Sequence, residues 1–205
     1  AHSIVVFPGG VGTVEEILYL LSILMHPDNN EAIPLIFTGP ESCREYFEEL
    51  DRFLVDCLGA QVRPYYRIIV GAEKEVGRAV RSANDEVHAK RRAAHQAYYF
   101  NWELVISPDL QEPFIPTHEA MAALQLHADS PKHELASALR RVFSGLVAGN
   151  VKAFGIEQVR LKGPYQLSGD KTFLSSVDRL LQMLVRQKRM KLDQEKYQPC
   201  YQLVK

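Results

Sequence analysis

Cysteine is scarce in this chain. Cys43, Cys57 and Cys200 are odd in number, widely spaced and include no CxxC pair. This excludes a disulfide framework or a paired-cysteine zinc site, and predicts buried, inert thiols in a reducing cytosol. Long apolar runs are missing too, and the longest stretches fall far short of a bilayer. No basic segment leads into an apolar run and a small-residue cleavage site, so no secretory signal is expected. An excess of either charge is also lacking: 24 Lys and Arg stand against 25 Asp and Glu. Bulk electrostatics therefore favour neither nucleic acid nor an anionic membrane, and any bound anion needs a local site. The 205 residues have the composition of an ordinary globular protein, enough for one large domain or two small ones.

What is present is an alternation of strand and helix patterns. Ser3-Ile4-Val5-Val6-Phe7 is a β-branched run stopped by Pro8 and reads as a strand buried on both faces. From Gly12 to about Met25 the pattern turns helical, with Ile17, Leu18, Leu21 and Leu24 on one stripe. Ile33 to Phe37 is a second strand, and a helix from about Ser42 to Leu58 follows. Arg67 to Val70 is a third strand, ended by Gly71, and a long polar helix runs from about Glu73 to Arg92. This order predicts βαβ units on a parallel sheet, an α/β Rossmann-like arrangement. Three strands are fewer than such a sheet usually has, so the first half of this domain is expected upstream.

Beyond Arg92 the character changes. The boundary is set at 1–95 for the Rossmann-like part and 96–205 for a smaller α+β domain. Tyr98 to Trp102 reads as an aromatic strand of the core. Ser107 to Thr117 reads as an ordered connection. Helices are expected at about Thr117–Leu126, Pro131–Val147 and Lys171–Arg189. A strand is expected at about Val151–Leu161, followed by a turn at Gly163-Pro164, with a last strand in Cys200–Val204.

The chemistry concentrates in Gly9-Gly10-Val11-Gly12-Thr13, between the first strand and its helix. Glycines there permit positive φ and close approach of an anion to peptide N–H groups. The helix N-terminus adds unpaired donors and partial positive charge, which suits a phosphate. A GxGxxG fingerprint would need glycine where Glu15 stands, and a P-loop would need a lysine after Gly12; both are excluded. Glu15 and Glu16 follow within reach of the ligand. Thr13-Val14-Glu15-Glu16 also reads as a capping box, with Thr13 at N-cap and Glu16 at N3. Beside the glycines, the functional reading leads for at least one glutamate. A carboxylate near a ribose 5′-phosphate stabilises positive charge at C1′ or aligns an attacking water.

Pro8-Gly9-Gly10-Val11-Gly12-Thr13-Val14-Glu15-Glu16 resembles the PGGxGTxxE motif of the LOG family. The resemblance implies a Rossmann-like fold and hydrolysis of nucleoside 5′-monophosphates to free base and ribose 5-phosphate. It makes Glu16 the expected catalytic carboxylate, helped by Glu15, and Gly9, Gly10, Gly12 and Thr13 the phosphate-binding turn. Ser107-Pro108-Asp109-Leu110 and Phe143 to Lys152 are similar to the longer bacterial pyrimidine/purine nucleotide 5′-monophosphate nucleosidases. That similarity implies a homo-oligomer, a dimer or tetramer, and regulation by guanosine tetra- or pentaphosphate. It also implies an arginine from an MxxRK-type segment, which does not precede Pro8 here. No cofactor is expected, because glycosidic hydrolysis requires neither metal nor organic cofactor.

Other clusters are weaker. His88, Lys90, Arg91, Arg92 and His95 read as a solvated helix end, where cations favour the dipole. The alternative is a regulatory anion site using Arg91 and Arg92. His118-Glu119 begins like a zincin helix, but Ala122 breaks HExxH, so no metal site is expected. Gly145 and Gly149 read as close helix packing. Three alternatives stay open: a non-catalytic nucleotide-binding module; decarboxylation, which would need a pyridoxal phosphate lysine that the motif lacks; and a purely structural role for the C-terminal domain.

Overall fold

Ile4–Val6 (β1), Leu35–Gly39 (β2) and Tyr66–Val70 (β3) form a parallel sheet in the order β1-β2-β3. The register places Ile4 beside Leu35 and Leu35 beside Tyr66. The structure is a computed structural model and describes residues 2–29, 33–96, 103–190 and 199–204. The connecting helices are Val11–Leu24 (α1) and Arg44–Leu58 (α2), and Glu73–Ala93 (α3) follows β3. A 3-10 turn, Glu41–Cys43, leads into α2, and a second, Ala60–Tyr65, leads into β3. The α/β expectation holds. β1, however, is half-buried rather than covered on both faces, and Phe7 at its end is exposed. Among the described residues β2 is the strand that pairs with it.

The second half contributes Pro108–Gln111 (α4), His118–Ala122 (α5), Gln125–Leu126 (β4), Lys132–Val151 (α6) and Ala153–Lys162 (α7). Tyr165–Gly169 (β5), Lys171–Arg186 (α8) and Tyr201–Val204 (β6) complete it. β4, β5 and β6 form a second parallel sheet. The last strand lies where it was expected. Two expectations need correction. The helix over Thr117–Leu126 stops at Ala122, because Gln125 and Leu126 pair with Ser168 and Gly169. The strand over Val151–Leu161 is helix α7. The pairs Phe154/Ile156 and Val159/Leu161 mimic period two, yet Phe154, Ile156 and Leu161 are exposed, and the helix seats by Gly155. A Cβ on Gly155 would lie 2.1 Å from the Ala148 carbonyl oxygen, so backbone meets backbone there. The missing strand is β5, beyond the Gly163-Pro164 turn. Tyr98–Trp102 lies outside the described residues.

Both sequence halves feed one continuous apolar core. Phe37 on β2 stacks between Phe47 and Tyr66, with ring centres 6.1 Å and 4.8 Å away. α1 lies along α6, and α2 lies along α8. Phe53 of α2 meets Phe143 of α6 edge-on at 5.5 Å. Ion pairs stitch α8 to α2: Arg179 to Glu49 and, at 2.6 Å, to Asp56, and Arg186 to Glu45 at 2.6 Å. Asn29 closes the end of α1: its amide donates to the Ile23 and Val105 carbonyls, and its oxygen accepts from the Val105 N–H. Gly145 and Gly149 pack as expected, against Met121 and Cys200. Cys57 and Cys200 are buried and their thiols are pushed up to about 12 by burial. Cys43, expected buried, is only half so. Among the described residues no helix is long and apolar enough to cross a membrane.

Candidate active site

The motif occupies the carboxyl end of β1, and its helix starts three residues earlier than a capping box requires. Gly10 is the N-cap, with extended backbone and no side-chain cap. The first helical bond runs from the Val14 N–H to the Gly10 carbonyl at 3.3 Å. Thr13 therefore sits inside the first turn, and Glu16 is a full turn further on, so the capping-box reading fails. That removes the structural explanation for Glu16. The N–H groups of Val11, Gly12 and Thr13 have no intrahelical acceptor, as at any helix start.

The glycines serve close approach rather than positive φ. None of Gly9, Gly10 and Gly12 has a positive φ. A Cβ on Gly9 would fall 1.9 Å from the Thr13 hydroxyl oxygen, and one on Gly10 2.4 Å from the Arg189 carbonyl oxygen. A Cβ on Gly12 would meet nothing within 4 Å, because Gly12 is exposed on the open side of the turn. The Gly9 N–H donates to the Tyr46 hydroxyl at 3.3 Å.

Along the same face of α1 runs an open depression of about 430 Å³. Gly12, Glu15, Glu16, Tyr19 and Leu20 of α1 line it, together with Arg140 of α6. The two predicted glutamates thus come together at one surface with a predicted glycine. Glu15 is half-buried and Glu16 exposed. Burial pushes the Glu15 carboxyl above the usual carboxylate range; Arg140 and then Lys152 pull it back, and Glu16 pushes it up again. Arg140 went unnoticed in the sequence. Its guanidinium lies over Tyr19, and its buried Nη1 has no hydrogen-bond partner among the described residues. No signal in the sequence marks it, because its relation to the motif is made only by the antiparallel contact of α1 with α6.

Arg91 and Arg92 lie elsewhere, in the last turn of α3. Arg92 is exposed, as a solvated helix end requires. Arg91 is buried, against that expectation, and its Nε donates to Gln96 at 3.4 Å. Positive charge does gather here. His2, its ring tilted against that of His88 at 4.8 Å, is held below the ordinary histidine range, first of all by burial. His118 begins α5 and bonds the Gly163 carbonyl at 2.8 Å, as a helix-start residue. Among the described residues no cluster of three or more His, Cys, Asp or Glu could hold a metal.

Two family models divide the chain. Residues 1–79 match the model described as possible lysine decarboxylase, and residues 84–204 match the C-terminal model of pyrimidine/purine nucleotide monophosphate nucleosidase. The chain belongs to the pyrimidine/purine nucleotide monophosphate nucleosidase family. It is 50% identical over 204 residues to the pyrimidine/purine nucleotide 5′-monophosphate nucleosidases of Escherichia coli strain K12 and strain O157:H7. The match covers 99% of this chain and 45% of each relative, so the chain spans about half the length of the nucleosidases it matches.

Proposed function

We propose that the protein carrying this chain hydrolyses the N-glycosidic bond of nucleoside 5′-monophosphates. The C1′–N bond breaks with its electron pair going to the base. Water adds hydroxide to C1′ and its proton goes to the base, leaving free base and ribose 5-phosphate. The observation that carries this reading is the meeting of Gly12, Glu15 and Glu16 at one depression beside a free helix N-terminus. The identity to nucleosidases supports it.

In this reading the N–H groups of Val11, Gly12 and Thr13 bind the 5′-phosphate, with Gly9 and Gly10 giving the turn its close approach. Glu16 stabilises positive charge developing at C1′ and orients the water, and Glu15 assists. Residues 1–95 supply this nucleotide-binding unit and 96–205 the second unit, on a common core. The protein works in the cytoplasm as a dimer or tetramer. Guanosine tetra- or pentaphosphate acts as regulator near Arg91 and Arg92, in the last turn of α3. The test is release of base and ribose 5-phosphate from AMP, GMP, CMP, UMP and IMP by the full-length protein. Binding of these nucleotides without release of product would favour the non-catalytic module instead.

A further inference from the structure

Arg189 reaches the glycine turn from the far end of the chain. α8 ends at Arg186, and Lys188, at φ 55°, reverses the backbone. The Arg189 N–H then bonds back to the Leu184 carbonyl at 2.8 Å, so the reversal is anchored to a buried helix. From there the Arg189 Nη1 donates to the Pro8 carbonyl at 2.9 Å. The guanidinium carbon lies 5.0 Å above the ring of Tyr46, whose hydroxyl accepts the Gly9 N–H. The Arg189 carbonyl oxygen fills the space beside Gly10 where a side chain would stand. Consecutive residues of the motif, Pro8, Gly9 and Gly10, are thus each held by Arg189 or by the ring beneath it.

The charge is as telling as the contacts. Among the described residues, the partners of Arg189 are carbonyl, amide, sulfur and aromatic groups. No carboxylate among them pairs with it. A half-buried guanidinium with no carboxylate partner among the described residues, next to a helix N-terminus, raises the local attraction for a dianion. We propose that Arg189 is a positioning residue for the phosphate grip: it fixes the Pro8–Gly10 backbone and adds positive charge beside the 5′-phosphate. This rests on the function proposed above, and it gives the C-terminal segment control over the phosphate end of the substrate.

The test uses the full-length protein with Arg189→Gln and Arg189→Lys. A phosphate is gripped alike in ground and transition states, so the loss belongs in KM and not in kcat. Arg189→Gln is expected to raise both the KM for AMP and the dissociation constant of ribose 5-phosphate about tenfold, with kcat within about twofold. Arg189→Lys keeps the charge and recovers most of that loss, and adenine binding does not change. Unchanged constants for AMP and ribose 5-phosphate overturn the proposal, and so does an equal loss in adenine binding. Should Arg189→Gln fail to fold, phenylglyoxal modification of the unaltered protein decides: AMP, but not adenosine, should slow reaction at Arg189. An unaltered rate overturns it. If AMP binds without releasing base, the nucleosidase reading fails and the dissociation constants alone judge Arg189.

Discussion

The guanidinium carbon of Arg140, on α6, lies 5.2 Å from the ring centre of Tyr19, on α1. This places a positive charge from the second half of the chain beside the motif's first glutamate. Burial raises the Glu15 carboxyl, and Arg140 is the larger of the two cations opposing that rise. In Arg140→Gln the carboxyl therefore climbs further. If turnover needs ionised Glu15, activity is lost as pH falls through that group, and the acid limb moves to higher pH in the variant. The profile of kcat/KM against pH for the two proteins reads this directly, and an unmoved limb would show that Glu15 does not titrate in the reaction.

Glu16 has no capping duty to confuse its mutant. Glu16→Gln is expected to lower kcat by about 10²–10⁴-fold, the usual range for a positioned acid–base group. Stability should stay within about 0.5 kcal/mol, as for other exposed surface changes. Base release from AMP together with urea unfolding separates the two effects. Undiminished turnover removes Glu16 as the catalytic carboxylate.

The two glycines flanking Val11 should behave oppositely. Gly10→Ala drives a methyl group onto the Arg189 carbonyl, a backbone atom, and should cost about 1–3 kcal/mol. Gly12→Ala meets open space and replaces a glycine in a helix, so it should stabilise by up to about 1 kcal/mol. The added methyl group lines the depression, however, and should raise KM. Denaturant midpoints and substrate titrations would expose either failure.

A second glycine pair tests how α6 is packed. At Gly145 an added methyl meets the flexible end of Met121, which can move; at Gly155 it meets the Ala148 carbonyl, which cannot. Gly155→Ala should therefore be more destabilising than Gly145→Ala, by about 1 kcal/mol or more. Equal midpoints would contradict the seating of α7 on α6.

Thiol reactivity should follow burial. With Cys57 and Cys200 pushed up to about 12, neither supplies thiolate at pH 8. Native protein should alkylate at Cys43 first, and all three cysteines should react once it is unfolded. Mass spectrometry of the labelled peptides distinguishes them.

The parts of the fold written in local pattern could be read from the sequence. Leu35 to Phe37, the α2 stripe of Tyr46, Phe47, Leu50, Phe53 and Leu54, and the polar α3 each carry one periodicity and fold accordingly. Misreadings arose where tertiary contact overrides pattern. Phe154 and Ile156 stand two apart as in a strand, but Gly155 lets their segment coil against α6. Thr13 and Glu16 spell a cap, but the helix begins at Val11. The site was half legible. Its glycines and glutamates sit in nine consecutive residues, whereas Arg140 and Arg189 join them only through helix packing and a chain reversal.

The edge-on contact of Phe53 with Phe143 ties together residues from the regions matched by two different family models. Partners of that kind drift together over evolution: a smaller ring on α2 is tolerated when α6 enlarges to fill the gap, and not otherwise. Grafting residues 84–204 of one nucleosidase onto the preceding segment of a distant one should therefore give a poorly folded hybrid unless both sides of this seam travel together.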